Sequence, residues 1–472
     1  MSETIGEMIL PGTYIEVRSE GLISVGGIAT GNVGVVGTAN RGPVNERRIL
    51  GSLAEALDTF GGAGNWPGTD DAPALTLTRT IEQIFKGGAS TVYAVRVANG
   101  TPASADWTLT RKEGAADKDV IDLTAASPGS WANDIKLALT PADTPTQLEI
   151  SYKRSPSSPT LKESYALGKA SDMVAAMAGS QLVTAALSAA TEANNTPDKV
   201  SNQITTGSDG ATATATQISG GLDKLLAEPV NIVTVGSAAG KNAFDGKTIG
   251  ATLLAHLEAT ENEGRERIAV LGTWDDDPTK ISADDVKSNP RLIIVGPGIV
   301  TDDGTKLPAG YSAALVAGRL AGLAPHVSLT NKDVAAAALT RNYTRAEQKN
   351  LLNKQLLVLV PNLGIRVLKG ITTDTGAFRQ ISVRRIVDYA KAGVRIGSNP
   401  YIGKLNNGRV RAALKATLDG FLSGMVLDEM LTAYQLDVTA TRAQEIAGQA
   451  IVTMLLQPTF SIDFVKVIMN LG

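Results

Sequence analysis

The sequence predicts a mixed α/β protein of several domains, built on a βαβ sheet with helices on both of its faces. Three short apolar runs carry this prediction, each bounded by glycine or by charge: NIVTVG, RIAVLGT and RLIIVGP. Such runs are typical of buried parallel strands, because both faces of a parallel sheet are covered. Helical stretches lie between and after them, at Gly246–Glu263, more weakly at Ser282–Lys287, and at Tyr311–Leu323. This alternation is the pattern of an α/β layer architecture.

The chain before these strands is predicted to form the first part of the same core, over residues 21–98. GLISVGGIATGNVGVVG predicts strand, turn and strand, with apolar centres at Ile23–Ile28 and Val33–Val36. Apolar residues at every third or fourth position predict a helix over Ala72–Lys86. Pro73 lies in its first turn, where a missing N–H costs nothing, and the glycine pair that follows ends the helix. TVYAVRVA is then a strand.

Residues 99–221 are rich in Ala, Thr, Ser, Asp and Pro, and we expect them to form an inserted, mostly β domain on the outside of the protein. Strands are predicted at DWTLTRK, DIKLALT and QLEISYK, and one helix at Ser171–Thr191. Residues 222–344 then complete the core.

Residues 345–472 are predicted to be an α+β carboxyl-terminal domain. Their pattern is helix, strand (LLVLV), strand (GIRVLKGIT) and the helical ISVRRIVDYAKAG, followed by the terminal region. We expect residues 1–20 to form an arm that packs with this domain.

Composition excludes several classes of function. The chain has 472 residues, no cysteine and two histidines, and 44 basic residues face 47 acidic ones. Disulfides, thiolate catalysis and cysteine-bound metal are therefore excluded, and the net charge of −3 does not favour nucleic acid or membrane. No secretion signal and no apolar run of about 18 residues is present. We expect a soluble protein made in the cytoplasm, without membrane insertion.

No motif supports catalysis, a cofactor or a metal site. VTVGSAAGKN resembles a phosphate loop, but only three residues separate Gly236 from Gly240, and no G-x-G-x-x-G is present. Asp275-Asp276-Asp277 is followed by Pro278 and is typical of a solvated turn. His256 lies in an apolar helix, and His326 with Ser328 has no recognisable third partner.

A basic run is the strongest charge feature. Between positions 384 and 415 there are eight cationic residues and one acidic residue, Asp388, a local net charge of +7. Either this is a solvated face with internal salt bridges, or it docks an acidic protein surface. Nucleic acid fits less well, because only Tyr389 and Tyr401 could stack on bases. The cations are Arg384, Arg385, Lys391, Arg395, Lys404, Arg409, Arg411 and Lys415.

Both chain ends predict extended segments. PGTYIEVRS near the start alternates like a strand, and PTFSIDFVKVIMNLG closes the chain with strand periodicity and one slip near Val465 and Lys466. A terminal strand has a free edge. It is either the last strand of its own sheet or it joins a sheet of another chain.

Taken together and in order, several motifs resemble the contractile tail sheath protein family of phages and related injection particles. The resemblance covers most of the chain and is weakest over 99–221. The motifs are PGTYIEV, GTANRGPVNE, FKGGASTVYAVRVA, RLIIVGPG, PAGYSAALVAGRLAGLAPHVSLTNK, GIRVLKGITT, ISVRRIVDY, LNNGRVRAAL and PTFSIDFVKVIM.

The resemblance implies a structural subunit that stacks as hexameric rings, wound helically around an inner tube. Contraction of the sheath drives the tube through a target cell envelope without ATP. Implied partners are other copies of the chain, the inner tail tube protein, and baseplate and tail terminator proteins, with no nucleic acid. The implied location is a virion tail, assembled in the host cytoplasm and used for genome ejection.

The resemblance also implies site residues. Two terminal strands would exchange between subunits, one formed by Thr13, Tyr14, Ile15, Glu16 and Val17, the other by Ser461, Ile462, Asp463, Phe464, Val465, Lys466, Val467 and Ile468. A tube-facing helix near Asn407–Leu418 would offer Arg409, Arg411 and Lys415, with Lys404 just before it. Arg409 and Arg411 lie about 200° apart on a helix and cannot both face the tube. Changing Arg411 and Lys415 together to Glu is expected to block assembly on the tube.

Three alternatives remain at this point. A sheath of a bacteriocin-like or other genome-free injection particle would have the same chain chemistry. A nucleic-acid-binding scaffold would use the basic run and bind DNA with steep salt dependence. A degenerate α/β enzyme would lose hydrolase activity on mutation of His326 or Asp275.

Overall fold

The architecture is a mixed α/β fold in which one large sheet holds several smaller units together. The computed structural model describes residues 27–63, 75–140, 145–154, 158–201, 203–236, 246–282 and 285–470. The predicted strand at Thr13–Val17 and most of the apolar segment Ile23–Ile28 lie outside these residues.

The amino-terminal part supplies three strands and two helices to the central layer. They are β1 (Asn32–Gly37), β2 (Arg47–Leu50), α1 (Leu53–Phe60), α2 (Leu77–Gly87) and β3 (Thr91–Arg96). The predicted helix at Ala72–Lys86 is wrong in its start. Residues 72–74 lie outside the described part, and Thr76 is not helical because its amide and that of Leu77 donate to the Thr38 carbonyl oxygen, at 3.0 and 2.8 Å. Its end is confirmed at Gly88, whose φ of +109° suits a helix C-cap.

The insertion is mostly β, as predicted. Its elements are β4 (Asp106–Glu113), β5 (Ala116–Ala125), β6 (Lys136–Thr140), β7 (Gln147–Lys153), β8 (Thr160–Ala166), α3 (Ala170–Ala176), β9 (Val183–Leu187) and β10 (Lys199–Val200). They form two antiparallel sheets, β10-β4-β5-β9 and β6-β7-β8, around a shared core that includes Trp131.

The predicted helix at Ser171–Thr191 is wrong beyond its first turns. A turn interrupts it, since the Ser180 hydroxyl accepts hydrogen bonds from the amides of Leu182 and Val183 at 3.2 and 3.0 Å. The residues from Val183 onward then form β9, which pairs with β5. The prediction missed β5 and β8 entirely.

The second part of the core contains the remaining strands of the central sheet. Its elements are α4 (Ala215–Asp223), β11 (Ile232–Val235), α5 (Gly246–Asn262), β12 (Ile268–Gly272), β13 (Leu292–Gly296), β14 (Ile299–Val300), β15 (Lys306–Leu307), α6 (Ala309–Ala321), β16 (Asp333–Val334), β17 (Ala338–Leu339), α7 (Arg345–Asn353), β18 (Leu357–Pro361) and β19 (Ile365–Val367). No α-helix covers Ser282 or residues 285–287, so the weak helix predicted there is wrong in its described part.

The central sheet has nine strands in the order β16-β19-β18-β13-β12-β11-β1-β3-β2. The pairs from β3 through to β18 are parallel, and the outer strands are antiparallel. Helices α2 and α6 pack on one face, and α4, α5 and α7 on the other. The predicted βαβ sheet covered on both faces is confirmed. Helix α4 spans the predicted domain boundary at residue 221 and packs on this sheet through Ile218 and Leu222.

Residues 345–367, predicted as the start of the carboxyl-terminal domain, instead form α7, β18 and β19 of the central layer. The remaining elements of the carboxyl-terminal domain are α8 (Ile381–Ser398), α9 (Gly408–Leu427), β20 (Leu431–Thr439), the short α10 (Arg442–Ile446) and β21 (Ile451–Pro458). Helices α8 and α9 pack against each other, and β20 and β21 form an antiparallel hairpin over them. None of the described helices is long and apolar enough to span a membrane.

Candidate functional site

The two long helices and the hairpin of the carboxyl-terminal domain hold the residues predicted to contact other proteins. Ile386 of α8 and Leu422 of α9 are fully buried between the helices and the hairpin. Helix α9 begins after Asn407 because its side-chain oxygen accepts a hydrogen bond from the Val410 amide at 3.0 Å. The predicted helix at Asn407–Leu418 is confirmed and runs nine residues further, to Leu427.

Helix α8 turns the first cations of the basic run inward. Arg384 is buried and donates to Asp388, one turn along the helix, at 2.6 Å. Arg385 is also buried, and burial away from any acidic partner lowers its pKa to about 10. Its guanidinium donates to the carbonyl oxygens of Thr30, Leu323 and Ala324. Arg385 thus attaches α8 to the central domain, and both arginines are buried away from a partner.

A cluster of ion pairs around the buried Arg291 also connects α8 to the central domain. Arg291, at the start of β13, has a side chain only 3% exposed and contacts both Glu261 of α5 and Asp388 of α8 at 2.7 Å. The hydrogen bonds from Arg291 lower the pKa of Glu261 to about 2. Lys391 and Arg395 pair with Glu266, at 3.6 and 3.0 Å. Four of the eight cations of the run are thus engaged within the chain, three of them by carboxylates and Arg385 by carbonyl oxygens.

The cations of α9 differ in their environment. Arg411 is largely covered and donates to Asn406 at 2.8 Å and to Glu445 of α10 at 2.9 Å, so it holds the loop after β20 against the start of α9. Arg409 is exposed and makes no ion pair with a described residue. It shares the open face of the helix with Ala413 and Ala416, about 160° away from Arg411.

The remaining two predicted tube-facing residues are both exposed. Lys404, in the loop before α9, lies 5.0 Å from the centre of the Tyr401 ring. Lys415 forms an exposed ion pair with Asp437 at 3.3 Å. Exposed pairs of this kind contribute about 0–1 kcal/mol. The geometry therefore separates Arg409, Lys404 and Lys415, which a partner can reach, from Arg411, which is already paired.

The hairpin leaves strand edges open. Among the described residues β20 and β21 pair only with each other, so each has one unpaired edge. Its inner side chains, such as Leu436 and Met454, pack towards α8 and α9, whereas Leu455 on the outer face is 55% exposed. A two-stranded sheet is marginal by itself, and open edges accept further strands.

The closing segment adds no strand to its own chain. From Thr459 to Asn470 no described residue belongs to a strand, so an ordinary last core strand at Ser461–Ile468 is excluded for this chain. Large apolar side chains in this segment are exposed: Phe460, Ile462, Phe464, Val465, Val467, Ile468 and Met469. The proposed partner strand at Thr13–Val17 lies outside the described residues. Exchange of either strand stays a prediction.

Three of the residues considered for catalysis, His256, Ser328 and Asp276, contact other side chains or backbone groups of the fold. His256 is buried and its Nε2 lies 2.9 Å from the Arg267 guanidinium, and burial lowers its pKa to about 4. Ser328 accepts the Thr330 amide at 3.2 Å, and His326 Nδ1 has no hydrogen-bond partner among the described residues. Asp276 accepts hydrogen bonds from Gly298 and Thr340.

No group of three or more metal-ligating side chains occurs in the described part of the chain. Residues 237–245 of the phosphate-loop-like segment lie outside it.

Sequence reasoning missed the ion-pair partners of the basic run, because they are distant in the chain. Arg291 joins Asp388, 97 residues away, to Glu261, which is 127 residues from Asp388. Glu445 is 34 residues from its partner Arg411. No local pattern marks such pairs, because their proximity is created by the packing of α8 on the central domain and of α10 on α9. The only available signal was the acidic residues at the end of α5 and Glu445 within α10.

Comparison with known families gives two adjacent matches that together cover 211–472. Residues 211–373 match the family described as phage tail sheath protein central domain, and residues 373–472 match phage tail sheath C-terminal domain. A curated relative, the tail sheath protein of Bacillus phage SP01, is 27% identical over 205 residues. That match spans 40% of this chain and 36% of the relative, so the chain covers about a third of the relative's length.

Solved structures extend the similarity in fold to almost the whole chain. The sheath tail protein of Desulfitobacterium hafniense is 20% identical, with a TM-score of 0.65 over 95% of this chain and 100% of the other. The sheath tail protein of Listeria innocua is 16% identical, with a TM-score of 0.66 over 92% and 93%. The contracted helical sheath of the anti-feeding prophage is 13% identical, with a TM-score of 0.57 over 99% of both chains.

Proposed function

We propose, from the premise that this chain belongs to the phage tail sheath protein family, that it is the structural subunit of a contractile tail sheath. Copies of the chain stack as hexameric rings around an inner tube, and their rearrangement drives the tube through a target envelope. The observation that carries this proposal is the combination of family membership with a terminal hairpin and tail that lack strand partners within the chain.

Strand exchange explains those unpaired edges. The open edges of β20 and β21 accept strands from neighbouring subunits, and the exposed tail donates one. The segment Thr13–Val17 donates another. The added strands supply the ladder partners that the two open edges lack, so the sheet, which already packs on α8 and α9, is extended in the polymer. Because a filament of identical subunits needs head-to-tail contacts, a donor and an acceptor on the same chain are what such an assembly requires.

The open face of α9 contacts the tube. Arg409 is an exposed cation without an acidic partner among the described residues, and the small side chains beside it let another backbone approach closely. Lys404, in the loop before the helix, adds positive charge. Lys415, by contrast, lies about 120° around the helix from Arg409 and pairs with Asp437. We expect an acidic tube surface opposite them, with a contact weakened by salt. Baseplate and tail terminator proteins are the further partners of the assembled sheath, which forms in the host cytoplasm.

No enzymatic step is needed. The subunits assemble in a metastable arrangement, and contraction releases the energy stored there, so neither ATP nor a cofactor takes part.

A genome-free particle is the second candidate, because the similar solved structures include the contracted sheath of an extracellular contractile injection system. Nucleic-acid binding is disfavoured, since Arg384, Arg385, Lys391 and Arg395 are already engaged.

Negative-stain electron microscopy tests the proposal. The full-length chain is compared with a chain lacking Met1–Ser19 and with one ending at Phe464, each alone and co-expressed with an acidic tube protein. We expect long hollow cylinders from the full-length chain and none from either truncation. Dispersed monomers from the full-length chain even with the tube, or cylinders from both truncations, would contradict strand-exchange polymerisation.

A further inference from the structure

In residues 460–464, just before the exposed tail, the apolar side chains face solvent and the polar side chains face the protein. A strand lying on its own domain normally turns apolar side chains inward, but here Phe460, Ile462 and Phe464 point to solvent and are 63%, 82% and 82% exposed. The intervening Ser461 and Asp463 point inward, and the Asp463 side chain is only 11% exposed. The polar face of this segment is bound to the chain, and its apolar face is uncovered.

Gln380 fixes the first part of the segment. Its side-chain oxygen accepts the Ser461 amide at 3.2 Å, and its side-chain nitrogen donates to the Ser461 carbonyl oxygen at 3.5 Å. The amide group therefore contacts both backbone groups of one residue, as a neighbouring strand would. Gln380 is the residue immediately before α8, so the segment is held at the junction of the central and carboxyl-terminal domains.

Asp463 fixes the second part through three different segments. It pairs with Lys369, which follows β19, at 3.3 Å, and both side chains are mostly covered, at 11% and 15% exposed. It also accepts hydrogen bonds from Thr330 and from Gln380 at 3.3 Å. The Lys369 ammonium lies 4.8 Å from the centre of the Phe464 ring and so orients the next residue. Beyond Phe464 the described tail is exposed throughout.

We propose that residues 460–464 form a fixed platform whose apolar face docks a second copy of this chain, and that Asp463 is its positioning residue. The exchanged strand then begins at Val465 instead of Ser461. A second copy is the partner because the platform continues directly into the tail that the proposed function donates to a neighbour. Exposed apolar side chains held in place by a buried ion pair mark an interaction surface. This inference rests on the proposed function, since it needs the polymer.

Site-specific labelling tests the covered face, because the chain contains no cysteine. Ile462→Cys is compared with Ile204→Cys in the inserted domain, where the isoleucine is 65% exposed. Each variant is co-assembled with a tenfold excess of wild type, so that the substitution itself does not prevent assembly. In monomers both thiols should react with maleimide at similar rates. In cylinders we expect Ile462→Cys to react at least tenfold more slowly and Ile204→Cys to be unchanged. Equal labelling of Ile462→Cys in both states would overturn the proposal.

A charge swap tests the positioning role. Lys369→Asp and Asp463→Lys should each raise the protein concentration needed for cylinders about tenfold, because the like charges release the terminal segment from the rest of the chain, and the double variant should largely restore assembly. The exposed Glu149–Lys162 pair, at 2.9 Å, is the matched control, and its swap should have no effect. If the wild type forms cylinders and the single variants assemble as well as it does, the platform is refuted while the proposed function stands. A wild type that never forms cylinders refutes the proposed function itself.

Discussion

The central sheet and the terminal hairpin are both built from short apolar strands, yet they differ in how far one chain buries their side chains and pairs their strand edges. In β12 and β13 every residue is buried, and each strand is paired on both sides. In β21 exposed and half-buried positions alternate, and one edge is open among the described residues. The first region satisfies its backbone and its apolar surface within one chain. Under the proposed function, strands of other copies complete the second region, so the same residue types would stabilise the monomer in one place and the assembly in the other.

The largest expected difference between the two regions comes from matched truncations. Ile293→Ala at a fully buried position of β13 should lower the free energy of unfolding of the monomer by about 2–5 kcal/mol, because it leaves a cavity. Leu455→Ala on the outer face of β21 should change it by less than about 0.5 kcal/mol. Urea unfolding followed by circular dichroism measures both. A large loss at Leu455 would mean that the hairpin face is already covered in the monomer.

The junction between the two regions is the next test. Arg291→Met removes the cation that Glu261 and Asp388 share, and should destabilise the monomer by about 2 kcal/mol. This is less than the full cost of breaking a buried pair, because Lys391 and Arg384 still face those carboxylates. Arg48→Met, in an exposed pair with Glu46, is the control and should be nearly neutral. Equal effects of the two substitutions would show that the cluster does not hold the domains together.

The two regions also differ in how much of their structure the sequence alone could predict. The parallel strands were predictable because runs such as LIIVG contain no polar side chain, which is typical of a sheet covered on both faces. Helix α9 was expected over Asn407–Leu418 from the family resemblance alone, and the structure confirms it. The helix expected at Ser171–Thr191 was not, since alanine-rich stretches fit a helix until a turn at Ser180 and pairing with β5 override propensity. For the candidate site, alternation predicted an extended closing segment but left open whether it completes its own sheet, and the roles of Arg291 and Arg411 depended on distant partners.

Acid should weaken the junction in a defined pH range. The pKa of Glu261 is lowered from 4.5 to about 2 in the folded chain, because Arg291 donates hydrogen bonds to it. Its contribution is therefore complete above pH 4.5 and is lost as the pH falls towards 2. The side chain is 41% exposed, so we discount the contribution to about 1 kcal/mol. Melting temperatures of wild type and Glu261→Gln should converge over this range. A constant difference down to pH 2 would contradict the assignment.

Substitutions of the cations in and near α9 should have the smallest effects on the stability of the monomer, and they distinguish Arg411 from Arg409 and Lys404. Arg411→Glu places a carboxylate beside Glu445 and should cost about 1 kcal/mol, so a failure of the Arg411 and Lys415 double variant to assemble would report instability as well as docking. Arg409→Glu with Lys404→Glu should leave the melting temperature unchanged and still abolish co-sedimentation with the tube. Normal tube binding by that double variant would contradict docking through the open face of α9.

Hydrogen exchange of monomers and cylinders, read by mass spectrometry, tests the central claim most directly. The account predicts that amides of β12 and β13 are protected in both states, whereas those of residues 465–470 and of the open edges of β20 and β21 exchange rapidly in the monomer and at least 100-fold more slowly in the cylinder. Exchange in residues 465–470 that is equally fast in the cylinder, or already slow in the monomer, would contradict the claim that this region is completed only by other copies of the chain.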